Sequence, residues 1–362
     1  MTQINDRMRK RKAKKVFFGS VPVGGEAPIT VQSMTNTETS NVSATVSQIK
    51  KLEDAGCEII RVAVPDEESA ACLAEIKAKI GIPLIADIHF DYRLALKSIV
   101  QGVDGLRINP GNIGNKERVK KVVNAALKAE IPIRVGVNAG SLSREILQKF
   151  GQPSAEAMVE SALQNIKILE EEGFTEIVVS LKATDIWRTV KAHELIAKEI
   201  DYPFHIGITE AGGGWKGKVK SATGLGALLT RGYGDTLRVS LTGDPIEEVE
   251  VGWQVLRELG LRSRGPRIIS CPTCSRTGVD LVKLTAEVEE LVSDIKEPLT
   301  VAVMGCAVNG PGEAREADIG IAAGKGEGLI FKNGQQVKKV KEDKLIACFA
   351  EEIKRLIENK ED

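Results

Sequence analysis

Three of the six cysteines lie close together in the last third of the chain, where they could hold a metal centre. Cys271 and Cys274 form a Cys-Pro-Thr-Cys motif, and Cys306 follows shortly before Glu313. This spacing leaves three possibilities: a redox-active pair made by the first two cysteines, a zinc site that recruits a fourth ligand, or an iron–sulfur cluster. Three thiolates and one carboxylate fit the cluster best, because one of its irons can take a weaker ligand.

The remaining cysteines favour a structural interpretation. Cys57 and Cys72 lie in or beside predicted helices, and Cys348 lies in an apolar stretch near the C-terminus. Because a buried free cysteine behaves as a small hydrophobic residue, we expect all three to pack in the core. Cys348 is nevertheless the alternative fourth ligand for a cluster.

Positive charges interrupt five apolar runs that predict buried strands, at Arg61, Arg107, Arg134, Lys182 and Arg238. Each lies between apolar neighbours, so the two-residue period of a strand gives these cations a shared direction. Burying a charge without a partner is costly, and Asp87 and Glu210 are the two carboxylates visible at strand ends. Since Arg suits bidentate phosphate recognition, we expect a pocket for a small, multiply charged anion, with a phosphate ester favoured. The alternative is a set of structural salt bridges.

Two further features stand near these cations. His89 and His205 could be ligands or proton carriers, or they could be hydrogen-bonded core residues. A run of three glycines, 212–214, precedes a helical stretch, and bare backbone N–H groups at a helix start can hold phosphate. The alternative for the glycine run is a tight turn alone.

The residues above lie in a chain that alternates short β-branched runs, typical of strands, with longer amphipathic stretches, typical of helices. Eight such units within about 240 residues match an α/β fold, the (β/α)8 or TIM barrel, whose chemistry sits at the carboxyl ends of its strands. An open doubly wound sheet is less favoured, because no Gly-x-Gly-x-x-Gly motif follows the first strand. The predicted strands are Ile29–Ser33, Ile59–Val64, Leu84–Ile88, Gly105–Ile108, Ile131–Val137, Glu176–Leu181, Phe204–Ile208 and Thr236–Leu241.

The pattern changes after the eighth unit. We predict a solvated basic tail over residues 1–15, a substrate-binding barrel over 16–261, a linker over 262–267 and a small α+β cluster domain over 268–362. The predicted elements of that last domain are a helix at Leu281–Asp294, strands at Leu299–Met304, Ile319–Ala322 and Gly328–Phe331, and a closing helix at Glu342–Glu358.

Composition excludes several classes of protein. The 362 residues carry 50 Lys plus Arg and 50 Asp plus Glu, so a globally basic nucleic-acid binder is not expected. Aromatic residues make up 4 %, which argues against stacking platforms for single-stranded nucleic acid. Neither a membrane-length apolar run nor a secretory signal is present, so we expect a cytoplasmic protein without a membrane partner.

Several long motifs together resemble one family. They are Val31–Thr37, Ala86–Asp91, Leu106–Gly114, Gly136–Ser141, Gly207–Gly213, Cys271–Cys274 and Val308–Glu313. These segments resemble the bacterial 4-hydroxy-3-methylbut-2-enyl diphosphate synthases of the non-mevalonate isoprenoid pathway. The resemblance runs from about residue 16 to the C-terminus and fits the two-domain bacterial type, because no extra domain separates the barrel from the cluster domain.

The resemblance implies a reaction: reductive ring opening and dehydration of 2-C-methyl-D-erythritol 2,4-cyclodiphosphate. It implies a [4Fe-4S] cluster held by Cys271, Cys274, Cys306 and Glu313, with Glu313 as the displaceable ligand. It implies that Glu210 assists proton transfer or stabilises positive charge, with His89 and Asp87 close by. The residues expected to hold the substrate are Arg61, Arg107, Asn109, Arg134, Asn138, Lys182, Arg238 and Ser240. A reduced flavodoxin or ferredoxin would supply electrons, and the family assembles as a head-to-tail homodimer.

Two other classes remain open from the residues alone. A barrel that condenses a diphosphate ester, as the pterin-binding synthases do, would share the anion pocket and hold zinc in its tail domain. A cluster-bearing regulator or carrier would retain the pocket without using it. The polar residues at the strand ends argue against the second alternative.

Overall fold

The computed structural model describes residues 10–306 and 310–361. The chain divides into two compact units, the first extending to Arg262 and the second beginning at Ser263. Each unit is built around its own hydrophobic core.

The first unit opens with an antiparallel hairpin and continues as a strand–helix alternation. The hairpin strands are β1 (Lys15–Phe18) and β2 (Val21–Gly24). Within residues 10–262, eight parallel strands follow: β3 (Thr30–Met34), β4 (Ile59–Ala63), β5 (Leu84–Asp87), β6 (Gly105–Ile108), β7 (Ile133–Asn138), β8 (Ile177–Lys182), β9 (His205–Ile206) and β10 (Thr236–Leu237). Their order is β8-β7-β6-β5-β4-β3-β10-β9, as predicted for consecutive barrel strands.

The barrel closes between β8 and the residues just before β9. Val179 forms a parallel bridge with Phe204, and the Val179 N–H donates to the carbonyl of Pro203 at 2.9 Å. The strands are buried on both faces, as expected where helices cover a parallel sheet. The (β/α)8 barrel predicted from the sequence is therefore confirmed.

The surrounding helices follow the strands in chain order. They are α1 (Val42–Ala55), α2 (Glu67–Ala71), α3 (Leu73–Lys77), α4 (Tyr92–Val100), α5 (Lys116–Ala129), α6 (Arg144–Phe150), α7 (Ala155–Glu170), α8 (Ile186–Ile196), α9 (Gly214–Leu229) and α10 (Pro245–Glu258). Side chains of Asn, Asp or Ser cap many of their first turns, as Asp244 does by accepting from the Ile246 N–H. These caps fix where each helix starts after its strand, and so fix the loops at the strand ends.

The β1–β2 hairpin covers the amino-terminal end of the barrel. Its buried side chains Val16, Phe18 and Val23 pack in one cluster with Ile59 and with two further barrel residues, Ile85 and Val178. This hairpin was not predicted from the sequence.

The basic segment before the hairpin differs from the solvated tail that we predicted. Lys10 pairs with Asp235 at 3.0 Å. Arg11 donates to the carbonyl of Ile200 at 2.9 Å and stacks its guanidinium 3.9 Å from the ring centre of Phe204. Residues 10 and 11 are therefore packed on the barrel, because their charges find a carboxylate, carbonyl groups and an aromatic face there. Residues 1–9 lie outside the described part of the chain.

The second unit is a mixed sheet with helices. In its described part the sheet order is β11-β12-β13-β14-β15, formed by β11 (Pro266–Ser270), β12 (Leu299–Met304), β13 (Ile319–Gly324), β14 (Glu327–Lys332) and β15 (Gln335–Lys341). The helices are α11 (Leu281–Val292), α12 (Gly310–Glu316) and α13 (Leu345–Glu361). The first three strands are parallel, and the last two pair antiparallel.

The predicted linker overlaps this sheet. Pro266 and Arg267 belong to β11, and Arg262 is bound to the barrel unit through Glu58 at 2.7 Å and the carbonyl of Ile29 at 2.7 Å. The segment between the two units is therefore shorter than the predicted 262–267. Among the described residues, no helix is long and apolar enough to cross a bilayer.

Candidate active site

A cavity of about 270 Å³ lies where the barrel strands end. Most of its lining residues come from the last positions of strands or from the first residues after them, the region where barrels of this kind carry their chemistry. The lining residues are Met34, Arg61, Asp87, His89, Arg107, Arg134, Gly136, Asn138, Ser180, Lys182, Thr209, Arg238 and Ser240.

The strand register brings one carboxylate and two of the cations side by side. Asp87, Arg107 and Arg134 are consecutive register partners on β5, β6 and β7. Asp87 binds Arg107 at 3.1 Å and Arg61 at 3.5 Å. Burial raises the pKa of Asp87, but the guanidinium groups of Arg61 and Arg107 outweigh it and hold that pKa below its usual range. Asp87 is therefore a buried carboxylate that is shared by two arginines.

The Arg107 guanidinium also reaches His89. Arg107 Nη1 lies 3.0 Å from His89 Nδ1, and Arg107 Nη2 donates to the carbonyl of Gly136 at 3.3 Å. A Cβ atom on residue 136 would lie 2.6 Å from Arg107 Nε, so this position needs glycine for the arginine to cross it. Sequence reasoning did not single out Gly136 for this reason.

Arg134 is the most deeply buried cation of the cavity, with 1 % of its surface exposed. Its Nη1 donates to the side-chain oxygen of Gln32 on β3. Its Nη2 is buried and has no hydrogen-bond partner. Burial and the neighbouring Arg61 lower the pKa of Arg134, although Asp87 opposes the shift. A buried guanidinium nitrogen without an acceptor requires an explanation, and a bound anion would supply one.

Arg238 is paired with a carboxylate that sequence reasoning missed. Glu248 on α10 is 4 % exposed and contacts Arg238 Nε at 3.3 Å and Nη2 at 3.4 Å. Glu248 also accepts from the Leu241 N–H at 2.8 Å and from the Ser33 hydroxyl at 3.3 Å. It therefore holds the segment after β10, which contains Arg238 and Ser240.

The cavity retains an excess of positive charge. Of the described residues that line it, the basic ones are Arg61, Arg107, Arg134, Lys182 and Arg238, whereas Asp87 and the adjacent Glu248 are the carboxylates, which pair with Arg61, Arg107 and Arg238. Burial, with opposition from Asp87, lowers the pKa of Arg61 to about 10. The positive charges of Arg61 and Arg134 are thus destabilised until negative charge enters, which favours an anionic ligand over the alternative of structural salt bridges alone.

Asn109, Glu210 and the glycine run lie apart from the residues that line the cavity. Asn109 follows β6, and its side-chain oxygen is buried without a hydrogen-bond partner. Glu210 is exposed, accepts from the Thr184 hydroxyl at 2.9 Å and has a left-handed backbone with φ of 52°. Of glycines 212–214, Gly213 is the N-cap of α9 and Gly214 is its first residue. The strained backbone of Glu210 is the kind of feature that functional sites retain.

In the second unit, the cysteines follow the carboxyl ends of two adjacent parallel strands. Cys271 comes directly after β11, and Cys306 comes two residues after β12. The Gly305 N–H donates to the Cys271 sulfur at 3.4 Å, so the two strand ends are in direct contact. The loop that carries Cys274 joins them, because the Gly278 N–H donates to the carbonyl of Gly305 at 3.0 Å.

The donor chemistry at this sheet edge suits thiolate ligands. A hydrogen bond from the Arg276 backbone lowers the pKa of Cys274, and the Gly305 N–H donates a hydrogen bond to the Cys271 sulfur. Glu313 lies exposed in the first turn of α12, and residues 307–309, between Cys306 and this helix, lie outside the described chain. Within 10–306 and 310–361, no three Cys, His, Asp or Glu side chains are already gathered around one metal-binding point. The backbone thus brings the three thiols to one edge of the sheet, although their sulfur atoms do not surround a common point.

The other cysteines have surroundings typical of core residues. Cys57 is 3 % exposed, its Sγ donates to the carbonyl of Ile59, and burial raises its pKa to about 12. Cys72 is half-buried against the barrel core, and Cys348 packs against the core of the second unit. Such thiols behave as small apolar side chains.

Fold and site together define a (β/α)8-barrel protein with a cationic cavity and a second unit that carries thiols at one sheet edge. The family model for the GcpE TIM-barrel domain matches residues 13–253, and that for the GcpE protein C-terminal domain matches residues 267–355. The chain belongs to the GcpE family. This assignment agrees with the resemblance that its sequence motifs carry.

Curated relatives extend over nearly the whole chain. It is 58 % identical over 351 residues, 97 % of this chain and 99 % of the relative, to the 4-hydroxy-3-methylbut-2-en-1-yl diphosphate synthase (flavodoxin) of Caldanaerobacter subterraneus subsp. tengcongensis. The protein of the same name from Geobacter sulfurreducens is 56 % identical over the same share of this chain. Among solved structures, Yersinia pestis dihydropteroate synthase aligns with a TM-score of 0.48 at 11 % identity, covering 68 % of this chain and 98 % of that one. That similarity supports no functional comparison.

Proposed function

We propose that this chain catalyses the reductive ring opening and dehydration of 2-C-methyl-D-erythritol 2,4-cyclodiphosphate in isoprenoid biosynthesis. The product is 4-hydroxy-3-methylbut-2-enyl diphosphate, and the reaction consumes two electrons delivered one at a time. The chain is thus an oxidoreductase of the non-mevalonate pathway.

The cationic cavity is the main structural observation that supports this proposal, in addition to the family to which the chain belongs. Five basic side chains face a space of about 270 Å³, large enough for a compact cyclic diphosphate. A diphosphate provides the negative charge that the arginines lack, and Arg groups bind its oxygens in a bidentate manner. The relatives named for this reaction match both units of the chain.

The residues that line the cavity would bind and orient the substrate. We assign the diphosphate to Arg61, Arg107, Arg134, Lys182 and Arg238, with Asn138 and Ser240 as neutral hydrogen-bonding groups. Asn109 is not included, because it does not line the cavity. Asp87 would fix the orientation of Arg61 and Arg107, since its two oxygens contact one arginine each.

Two groups remain for proton handling. His89 lies at the cavity beside Arg107, where its ring can donate to or accept from a substrate hydroxyl. Glu210 lies on the loop after β9, held by Thr184, and its carboxyl group would move a proton or stabilise positive charge near the barrel opening.

The second unit would hold the redox centre. We assign a [4Fe-4S] cluster to Cys271, Cys274 and Cys306, with Glu313 as the fourth and exchangeable ligand. When bound, the cluster supplies single electrons and a site for a substrate oxygen. The amide of Gly305 would donate a hydrogen bond to the Cys271 sulfur, as protein amides do to tune such clusters.

The proposed partners follow from this chemistry and from the family. Reduced flavodoxin or ferredoxin would supply the electrons, and the chain would act as a homodimer in the cytoplasm. Light scattering of the purified chain tests the oligomeric state. A mass of about 39 kDa would contradict the dimer, since that is the mass of one chain.

The decisive experiment is anaerobic purification followed by analysis of iron, acid-labile sulfide and reductive turnover of the cyclic diphosphate. We expect about four irons and four sulfides per chain. Cys306→Ala is expected to abolish both cluster content and turnover, whereas Cys348→Ala, which removes a half-buried packing thiol, should keep both. A colourless protein with stoichiometric zinc would refute the cluster. Full activity of Cys306→Ala would refute the ligand assignment.

A further inference from the structure

Lys182 differs from the other four cations of the cavity. It ends β8, is 7 % exposed, and is the cation of this set that can readily lose a proton, because guanidinium groups stay charged in proteins. Within the described part of the chain, Lys182 forms no ion pair, and the partner of its Nζ is the Nε2 atom of His205, at 3.2 Å. A Cβ on residue 207 would lie 2.8 Å from Nζ, so glycine there makes room for the amine.

The surroundings of Lys182 oppose a positive charge. Burial, followed by Arg238, Arg134 and Arg61, lowers its pKa well below the usual range, and Glu248 opposes this shift. The titratable or charged groups that line the cavity or lie directly beside it are Arg61 on β4, Asp87 and His89 at β5, Arg107 on β6, Arg134 on β7, His205 on β9, Arg238 directly after β10 and Glu248 on α10.

His205 can support either protonation form of Lys182. The imidazole is 1 % exposed, and burial together with Lys182 lowers its pKa, so it is neutral at neutral pH. A neutral imidazole has one donor and one acceptor nitrogen. Its Nδ1 lies 3.4 Å from the hydroxyl of Thr236, its register partner on β10, and a hydroxyl can donate or accept.

The two tautomers of His205 therefore match the two forms of Lys182. When Lys182 is an ammonium group, Nε2 accepts from it and Nδ1–H donates to Thr236. When Lys182 is an amine, Nε2–H donates to it and Nδ1 accepts from the Thr236 hydroxyl. In both forms the Lys182 nitrogen keeps its hydrogen bond to His205, and both imidazole nitrogens keep a partner.

We propose that Lys182 is a neutral amine in the free protein and takes up one proton when the cyclic diphosphate binds, with His205 and Thr236 as positioning residues for both forms. This inference rests on the proposed function, because it needs the diphosphate in this cavity. The proton comes from solvent, and it forms one new N–H bond on Nζ. No bond of the substrate changes in this step.

Proton-linked calorimetry of the full chain tests the proposal. The cyclic diphosphate is titrated anaerobically without reductant, so that it binds without turnover, in buffers of different ionisation enthalpy. Each phosphorus of this ligand has one acidic hydroxyl and lacks the second ionisation of a phosphomonoester, so the ligand itself takes up no proton near neutral pH. We expect uptake approaching about one proton per site, with affinity falling by up to about tenfold per pH unit in that range.

Lys182→Arg is the matched control, because it keeps a cation that stays charged. We expect this variant to take up almost no protons when the cyclic diphosphate binds. Its affinity for that ligand should lose most of its pH dependence. Wild-type binding without proton uptake at any pH between about 6 and 9, or equal uptake in Lys182→Arg, would overturn the inference. Failure of the cyclic diphosphate to bind at all would instead refute the proposed function.

The role of His205 needs a separate pair of variants. His205→Leu removes the hydrogen-bond partner and should weaken binding and shift proton uptake to lower pH. His205→Gln should restore both, because an amide can present either an oxygen or an NH2 group to Lys182. Thermal melting of each variant confirms folding. If the folded Leu variant shows wild-type uptake and affinity, His205 is not a positioning residue.

Discussion

At the scale of single residues, Glu248 supports several cavity groups at once. Replacing it by alanine leaves Arg238, the Ser33 hydroxyl and the Leu241 N–H without their acceptor. Because one partner of a buried ion pair and two buried donors lose their bonds, we expect Glu248→Ala to lower the free energy of unfolding by about 3 kcal/mol. Urea unfolding of the full chain measures this loss.

The neighbouring Glu247 provides the control for that experiment. Glu247 lies in the same turn of α10, has a side chain that is 42 % exposed and pairs with Lys218 at 3.2 Å. An exposed pair of this kind contributes about 0–1 kcal/mol, so Glu247→Ala should have little effect. Equal losses for the two variants would show that Glu248 supports nothing beyond the helix.

A second residue-scale prediction concerns acid stability. His193 on α8 is fully buried, and burial lowers its pKa to about 4. The unfolded chain takes up this proton below about pH 6.5, whereas the folded chain resists it down to about pH 4, so stability falls as pH drops through that window. The gap corresponds to roughly 3 kcal/mol, and the lowered pKa of His205 acts in the same direction.

Unfolding measured at a series of pH values checks this expectation. His193→Phe removes the titrating group while keeping a ring near Phe204, which His193 contacts edge-on at 5.2 Å between ring centres. The variant should lose less stability between about pH 6.5 and 4 than the natural chain does. An unchanged slope would show that His193 does not control acid stability.

At the scale of elements, the hairpin that covers the barrel floor makes a sharp prediction. Phe18 is 1 % exposed and packs with Val16 and Val23 against barrel residues, whereas its neighbour Phe17 is 50 % exposed. Phe18→Ala should lower the free energy of unfolding by about 3–5 kcal/mol, because it leaves a cavity at the barrel end. Phe17→Ala should change it little. Similar effects of both would contradict the capping role of β1.

At the scale of elements, many barrel strands could be predicted from the sequence, but several short or polar strands could not. Runs such as Ile59–Val64 and Leu84–Ile88 are apolar and β-branched, and the structure places strands there. The hairpin was missed because its strands are four residues each, too short for periodicity to stand out. Strand β15 was missed because its lysine-rich sequence reads as a polar loop, although it pairs along one side with β14.

The candidate site could also be predicted only in part from the sequence. Alternation along single strands indicated the five cations, because charge inside an apolar run is conspicuous. Glu248 could not be recognised in this way. Acidic residues are common in the first turn of a helix, because they interact favourably with the helix dipole and its free N–H groups. Asn109 was expected at the site because it follows a strand. The loop conformation after β6, which sequence does not specify, places it off the cavity wall.

At the scale of the whole molecule, each unit has a core of its own and carries a different part of the proposed chemistry. The barrel unit holds the cations that recognise charge, and the second unit holds the thiols at its sheet edge. If each unit folds around its own core, a substitution that abolishes cluster binding should leave substrate binding measurable. A substitution that weakens substrate binding should likewise leave cluster content measurable.

Two variants test this division in opposite directions. Cys306→Ala should lose iron and turnover but bind the cyclic diphosphate with the dissociation constant of the natural chain, because it leaves the cavity of the barrel unchanged. Arg134→Ala should keep iron and sulfide but weaken binding by about 10- to 100-fold, since one charge-assisted hydrogen bond contributes about 1.5–3 kcal/mol. Calorimetry without reductant measures the affinity, and metal analysis measures the cluster. If Cys306→Ala weakened binding as much as Arg134→Ala does, substrate recognition would depend on the second unit, and the barrel cavity alone would not account for it.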